Sequence, residues 1–325
     1  MIYLHDRHIR RLGVDWLQLI GLVEEIVRLE DQGECVHPLK PYLRFGDPAN
    51  RIIAMPAYVG GELPMAGIKW IASFPGNIGQ GKPRAHNTLV LNDPATGEPV
   101  AFLRSGQLNG IRTAAVSGVM LRASLDRLPL SEGLRLGIIG WGPVGRLHLE
   151  MCATLLGDRL RAVTLYDLRG IDPETIPATL RGRTEVATDW RSLYRISDVI
   201  VTSTASDRRY IDEPPPHGSL LLHVSLRDYE TTSLSGLKAI VVDDWQEVCR
   251  ENTDIEQLHQ QAGLTASGVC TLADVVCRNA LARWEPEEPV LFASMGLGIF
   301  DIAIAARYWR QALDRNEGVR LEGGF

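Results

Sequence analysis

Cysteine is scarce and unpatterned: Cys35, Cys152, Cys249, Cys270 and Cys277 make five residues with no CxxC pair and no zinc-ligand spacing. An odd number without a framework excludes a disulfide scaffold and leaves reduced core thiols as the expectation. The eight histidines build no HExxH or related pattern, so no metal site is expected. No apolar run approaches the roughly 20 residues of a membrane span. The opening Met1-Ile-Tyr-Leu-His-Asp-Arg-His lacks the features of a signal peptide. A cytoplasmic protein with no membrane partner is therefore expected. Basic blocks are missing too: Lys and Arg number 34 against 40 Asp and Glu, a formal charge of −6, so nucleic acid is not an expected partner. Repeats and low-complexity tracts are also absent. What is present is 325 residues, 45% hydrophobic and 23% charged, enough to bury large cores in about two domains.

The most informative segment is Leu134-Arg-Leu-Gly-Ile-Ile-Gly140-Trp-Gly142-Pro-Val-Gly145, in which an apolar run of strand length meets a GxGxxG turn and enters an amphipathic helix. Such a turn brings backbone N–H groups at a helix start to a pyrophosphate, where the helix dipole favours negative charge. Gly140, Gly142, Pro143, Val144 and Gly145 are the candidate phosphate cradle. A second apolar strand, Leu160 to Tyr166, leads to Asp167, about 20 residues further on, where a carboxylate can clamp the adenosine ribose. Its charge repels a 2′-phosphate and favours NAD over NADP, with Arg169 partly offsetting that repulsion. A further strand, Asp198-Val-Ile-Val-Thr202-Ser203-Thr204-Ala205, ends in hydroxyls that could face the same cofactor.

The fold class expected is α/β: a Rossmann doubly wound parallel sheet domain plus an α+β substrate domain. Apolar positions from Trp16 to Leu29 recur at helical spacing. From Lys40 to Leu103 the pattern changes to short extended runs, with Asn92-Asp-Pro-Ala-Thr-Gly97 as a hairpin turn. Gly106 to Ser124 reads as a helix, and Pro129 to Gly133 as a hinge. The apolar helix from Gly298 is expected to return to the first sheet. Residues 1–125 with 305–325 are thus assigned to the substrate domain, and 126–304 to the NAD-binding domain.

Four places carry candidate chemistry. Lys69 lies in the apolar strand Gly67-Ile-Lys-Trp-Ile, where a lysine must find an anion or reach solvent; an edge-strand charge that deters aggregation is the plainer explanation. Arg112 sits near a helix start, where the dipole disfavours a cation, so an opposing carboxylate would explain it, surface placement being the alternative. Asp228 follows the apolar run Ser219 to Val224 at the place where ligands bind parallel strands, and is read as an acid/base, a turn or cap being the alternative. Lys40 and Arg44 read by themselves as solvated charges, and Asp301 is ambiguous.

At these residues the chain resembles the ornithine cyclodeaminase/mu-crystallin family: Met55-Pro, Lys69, Ser73-Phe-Pro-Gly-Asn77, Leu91-Asn-Asp-Pro-Ala-Thr-Gly97, Arg112-Thr-Ala-Ala, the glycine turn, and Gly296-Leu-Gly-Ile-Phe-Asp301. Within it, Pro38-Leu-Lys-Pro-Tyr-Leu-Arg44, Arg51-Ile-Ile-Ala-Met-Pro and Ser225-Leu-Arg-Asp228 are similar to the branch that oxidises N-(2-amino-2-carboxyethyl)-L-glutamate. The resemblance implies an NAD-dependent oxidoreductase acting on a C–N bond of a small amino-acid substrate. Its products would be L-2,3-diaminopropionate for siderophores or peptide antibiotics, together with 2-oxoglutarate. It also implies a homodimer formed through the substrate-domain sheet. Lys69 and Arg112 would grip a substrate carboxylate, Lys40 and Arg44 compete for a further contact, and Lys69 and Asp228 would be catalytic. The cyclodeaminase loop Gly-Gly-Asp-x-Pro-Gly-Lys is replaced by Ser225-Leu-Arg-Asp-Tyr-Glu, which argues against ornithine cyclisation. Ornithine cyclodeamination, another amino-acid or imine reaction, and a non-catalytic binding protein are the alternatives.

Overall fold

The computed structural model describes residues 1–128 and 133–321, so the hinge expected at Pro129–Gly133 lies outside the described residues except for Gly133. The chain forms two compact units, Met1–Arg112 with the segment from Gly296 onward, and Thr113–Met295. The division falls earlier than the expected 125/126 and 304/305. The helix Gly106–Ser124 runs across the first boundary, and all of the helix Gly298–Asp314 packs in the first unit.

In the first unit, eight described strands form a mixed sheet. Its path runs Val319–Arg320, Ile2–His5, Pro99–Arg104, Ala85–Asn92, Met65–Ser73, Arg51–Val59 and Cys35–Val36, with Tyr42–Leu43 pairing beside Arg51–Val59. Short turns make most neighbours antiparallel; Ile2–His5 and Pro99–Arg104 are parallel because the chain between them crosses the sheet. Met55, Ala57 and Val59 on one strand and Leu89 and Leu91 on another are buried at alternate positions, giving the sheet one core face. The helices Trp16–Asp31 and Gly298–Asp314 supply the opposing apolar surface. As expected, the closing helix covers this sheet.

The second unit holds eight described parallel strands in the order Thr184–Val186, Leu160–Tyr166, Leu134–Ile139, Val199–Thr202, Leu220–His223, Val290–Ala293, Ala239–Val242 and Cys270–Thr271. The four strands Val199–Thr202, Leu220–His223, Ala239–Val242 and Val290–Ala293 are buried throughout, as parallel strands covered on both faces must be. From Leu134–Ile139 the chain builds outward in one direction and then resumes at Val199–Thr202 on the other side. That reversal is the topological switch point, beside which open α/β sheets bind their ligands. Of the cysteines expected in the core, Cys152 and Cys270 are buried, Cys35 and Cys249 half-buried, and Cys277 exposed; none forms a disulfide. Among the described residues no helix is long and apolar enough to cross a membrane.

Candidate active site

In the first unit a central strand carries Lys69 into the core face, where its side chain is 1% exposed. The anion it needs is Asp301, whose Oδ1 accepts from Lys69 Nζ at 2.9 Å and from Arg112 Nε at 2.9 Å. Asn109 Oδ1 accepts from Lys69 Nζ at 2.6 Å. Asn109 and Arg112 are three residues apart on one helix and therefore share a face. Asp301 stands in the first turn of Gly298–Asp314, where the helix dipole favours a carboxylate. Lys40, expected to be solvated when read alone, is instead buried, with Nζ donating to the Gly296 carbonyl at 2.8 Å. Gly296 has a φ of +82°, and a Cβ there would lie 2.1 Å from Arg112 Nη1. The glycine is thus fixed both by backbone conformation and by the guanidinium beside it.

Burial pushes the Lys69 ammonium down to about 7; Asp301 opposes the shift, and the charges of Arg112 and Lys40 reinforce it. Burial would raise Asp301, but Arg112 and Lys69 overcome that effect and hold it below the usual carboxylate range. Asp301 Oδ2 is buried without a hydrogen-bond partner. The four charged side chains together carry an excess of positive charge when the lysines are protonated, and they leave one buried acceptor. Arg44 does not join them. It is exposed, donates to Pro48 O in its own loop at 3.1 Å, and lies over the Tyr42 ring.

In the second unit the strand Leu134–Ile139 delivers Gly140, and the helix Pro143–Leu156 begins with no side chain capping it. Its first N–H groups are accordingly available to an anion. A Cβ at Gly145 would lie 2.2 Å from Gly140 O, whereas one at Gly142 would meet nothing within 4 Å. The first contact explains how close the helix start lies to the turn, and the open space at Gly142 is what a phosphate requires. Asp167 Oδ2 accepts from Trp141 N at 2.8 Å, and its Oδ1 from Arg169 N at 3.0 Å. Burial pushes Asp167 up, but these N–H groups and the Arg169 charge outweigh it and keep the carboxyl ionised. The cradle therefore fits a dinucleotide with a free ribose diol. Gly140, Gly142, Pro143, Val144 and Gly145 would hold the phosphates, and Asp167 the ribose.

The three hydroxyls at the end of Val199–Thr202 each hold a protein group: Thr202 Oγ1 meets His223 Nδ1 at 2.7 Å, Ser203 donates to Gly140 O at 2.9 Å, and Thr204 donates to Asp228 Oδ1. Asp228 is fully buried, with Ser225 donating to Oδ2. Its loop is fixed by Asp254, which sequence reasoning missed. Asp254 Oδ2 accepts from Asp228 N at 3.0 Å, Tyr229 N at 2.9 Å and His223 Nε2 at 2.8 Å, while Oδ1 accepts from Arg209 Nε at 2.6 Å. An ionised Asp254 carboxylate accepts only, so His223 donates to it from Nε2. Leu226, two residues before Asp228, has a φ of +65°, and its carbonyl accepts from Asp254 N at 2.8 Å. In sequence, Asp254 follows the cap residue Thr253 and reads as an ordinary first-turn acid. Among the described residues no group of three or more His, Cys, Asp or Glu is placed to hold a metal ion.

The whole chain is similar to several known proteins. N-((2S)-2-amino-2-carboxyethyl)-L-glutamate dehydrogenase of Staphylococcus aureus (strain NCTC 8325 / PS 47) is 30% identical, over 99% of this chain and 98% of that protein. A solved archaeal alanine dehydrogenase dimer with bound NAD is 25% identical with a TM-score of 0.83, covering 99% of each chain. The Δ1-pyrroline-2-carboxylate reductase of Thermococcus litoralis, solved with NADH and L-proline, shares the fold at 22% identity and a TM-score of 0.83, over 99% of this chain and 100% of that one. The family model described as ornithine cyclodeaminase/mu-crystallin matches residues 9–316, and the chain belongs to that family.

Proposed function

We propose that this protein oxidises N-(2-amino-2-carboxyethyl)-L-glutamate with NAD and water, giving L-2,3-diaminopropionate, 2-oxoglutarate, NADH and a proton. It is an oxidoreductase of amino-acid derivatives, and NAD is its cofactor. The observation that carries the finer reading is the buried group of Lys40, Lys69 and Arg112 around Asp301. A substrate with three carboxylates supplies the negative charge such a group favours. Asp301 Oδ2, buried without a partner, is an acceptor for a substrate N–H.

NAD, when bound, supplies the hydride acceptor for oxidation at the glutamate α-carbon. The chain's residues supply grip and proton transfer. Lys69 and Arg112 hold a carboxylate, Lys40 adds a positive field, and Asp228 takes a proton from the amine or from the water that attacks the imine. The hydroxyls of Thr204 and Ser225 orient the Asp228 carboxylate, and Asp254 fixes its backbone. General-base catalysis contributes about 10²–10⁴-fold. Asp228→Asn should therefore lower turnover by about that factor with NAD affinity unchanged; undiminished turnover would remove Asp228 from the mechanism.

The reading is tested by offering the conjugate, ornithine, proline and alanine in parallel and following NADH, ammonia and 2-oxoglutarate. NADH and 2-oxoglutarate in equal amounts from the conjugate are expected. Ammonia from ornithine without accumulated NADH would replace this reading with a cyclodeaminase. The reading also includes a homodimer. The sheet face opposite Lys69 presents half-buried Ile52, Ala54, Ile68, Val90 and Phe102, with Trp70 41% exposed, an apolar surface suited to a second copy.

A further inference from the structure

One residue of the glycine turn holds the loop after the neighbouring strand at two points. Gly140 N donates to Tyr166 O at 2.8 Å, which ties the turn to the end of the strand Leu160–Tyr166. Trp141, the next residue, reaches both ends of the loop that follows. Its backbone N–H donates to Asp167 Oδ2 at 2.8 Å, and its indole Nε1–H donates to Thr175 Oγ1 at 2.7 Å. Thr175 Oγ1 in turn donates to Asp172 O at 2.6 Å, and Thr175 N donates to the same carbonyl at 3.0 Å. Trp141 is only 4% exposed, whereas Leu168, between the two anchors, is 88% exposed. An open loop is thus pinned at both ends by one buried residue.

Those anchors decide what the Asp167 carboxylate can do. Oδ2 accepts from Trp141 N, and Oδ1 accepts from Arg169 N at 3.0 Å and Arg169 Nε at 3.3 Å. The side chain is 10% exposed and held from both sides. A ribose diol can donate to a carboxylate fixed in this way. A 2′-phosphate at the same place sets negative charge against negative charge, the kind of contact that suppresses a wrong partner. It is accommodated only if Asp167 withdraws. Withdrawal breaks the bond from Trp141 N and moves a loop whose far end the same indole holds. Two cations stand nearby: Arg169 is paired with Asp167, and exposed Arg146 lies over the Trp141 ring at 5.8 Å. Specificity is a difference of affinities, and a repulsive group contributes to it only while it cannot move aside.

We propose that Trp141 is a positioning residue for cofactor choice: its indole, by pinning Thr175, keeps the Asp167 loop closed, so that the carboxylate meets a ribose diol and does not yield to a 2′-phosphate. The inference goes beyond the reaction proposed above. It concerns only the adenosine end of the cofactor and holds whichever amino acid is oxidised.

The test measures dissociation constants of NAD and NADP by calorimetry, without amino-acid substrate, for the wild type, Trp141→Phe, Thr175→Val and Thr175→Ser. Trp141→Phe keeps an aromatic ring beside Arg146 and removes the N–H donor. Thr175→Val removes the acceptor, and Thr175→Ser retains it. The wild type should bind NAD about a hundredfold more tightly than NADP. One neutral hydrogen bond is worth about twofold to tenfold in an equilibrium, so the preference should fall by about that factor in Trp141→Phe and in Thr175→Val. Thr175→Ser should keep the wild-type ratio. Equal weakening of both cofactors, with the ratio unchanged, would make the indole a packing residue and overturn the proposal. A wild type that binds the two cofactors alike would overturn it too, as would Thr175→Ser losing the preference as fully as Thr175→Val. Thr175 is half-buried in a loop, so its variants remain a fair test if Trp141→Phe fails to fold. No step of the proposed oxidation enters these ratios, so its failure in the conjugate assay would leave them standing.

Discussion

At the scale of single residues, the decisive quantity is the charge on Lys69. Its ammonium is held down to about 7, first by burial, so the proposed carboxylate grip weakens as pH rises through neutrality. We expect kcat/KM for the amino-acid substrate to fall above about pH 7 in the free enzyme. Asp301→Asn should move that limb to lower pH, since the Asp301 charge opposes the depression. Stability follows the opposite trend. Unfolded Lys69 keeps its proton up to the ordinary lysine value of 10.5 and the folded one only to about 7, so between these limits the unfolded chain binds more protons and this group makes stability rise with pH. Below about 7 the burial penalty is fully in force. Denaturant unfolding from pH 7 to 9.5 should show that rise in the wild type and not in Lys69→Met. Lys69 and Arg112 were legible because a charge in an apolar strand and a cation at a helix start both demand an anion. Asn109, His223 and Asp254 were not, because a polar side chain shows its partner only after folding.

At the scale of elements, the strand, glycine turn and helix beginning at Leu134 form the most informative unit. The same turn contains one glycine needed for packing and one that leaves room. Gly145→Ala should destabilise the second unit, because its Cβ would meet Gly140 O at 2.2 Å and backbone must shift. Gly142→Ala has open space, so its melting temperature should stay near that of the wild type while the NAD dissociation constant rises about tenfold or more, a loss of about 1.4 kcal/mol. Equal NAD affinity in Gly142→Ala would move the phosphates away from this turn. Alanine-rich composition located the helix Gly106–Ser124, and an apolar run the strand Leu134–Ile139, as they occur. Such a run could not distinguish the end of a strand from its continuation: the strand expected to reach Ala205 stops at Thr202, where the hydroxyls turn to His223, Gly140 and Asp228. Nor does sequence mark Leu226, which takes a left-handed backbone where glycine is the usual choice.

At the scale of the whole molecule, the partly uncovered sheet face is the feature that a second copy would complete. Trp70 is 41% exposed between half-buried apolar neighbours, a surface that tends to associate in water. We expect sedimentation to give a dimer and Ile68→Asp to shift it toward monomer, since a charge buried in a stable interface costs several kcal/mol. A wild-type monomer would remove the homodimer. The parallel sheet, the glycine turn, the carboxylate of Asp167 and two of the three buried cations were determined by the sequence itself, because each is a local pattern: periodicity, a turn, or a charge in an apolar run. Tertiary structure alone decided that Lys40 is buried while Arg44 stays outside, that Asp301 answers both Lys69 and Arg112, and that Asp254 fixes the Asp228 loop. The physical reason is that a charge declares its need for a partner in one dimension, whereas the partner, up to 256 positions away for Lys40 and Gly296, is chosen only when strands and helices close in three.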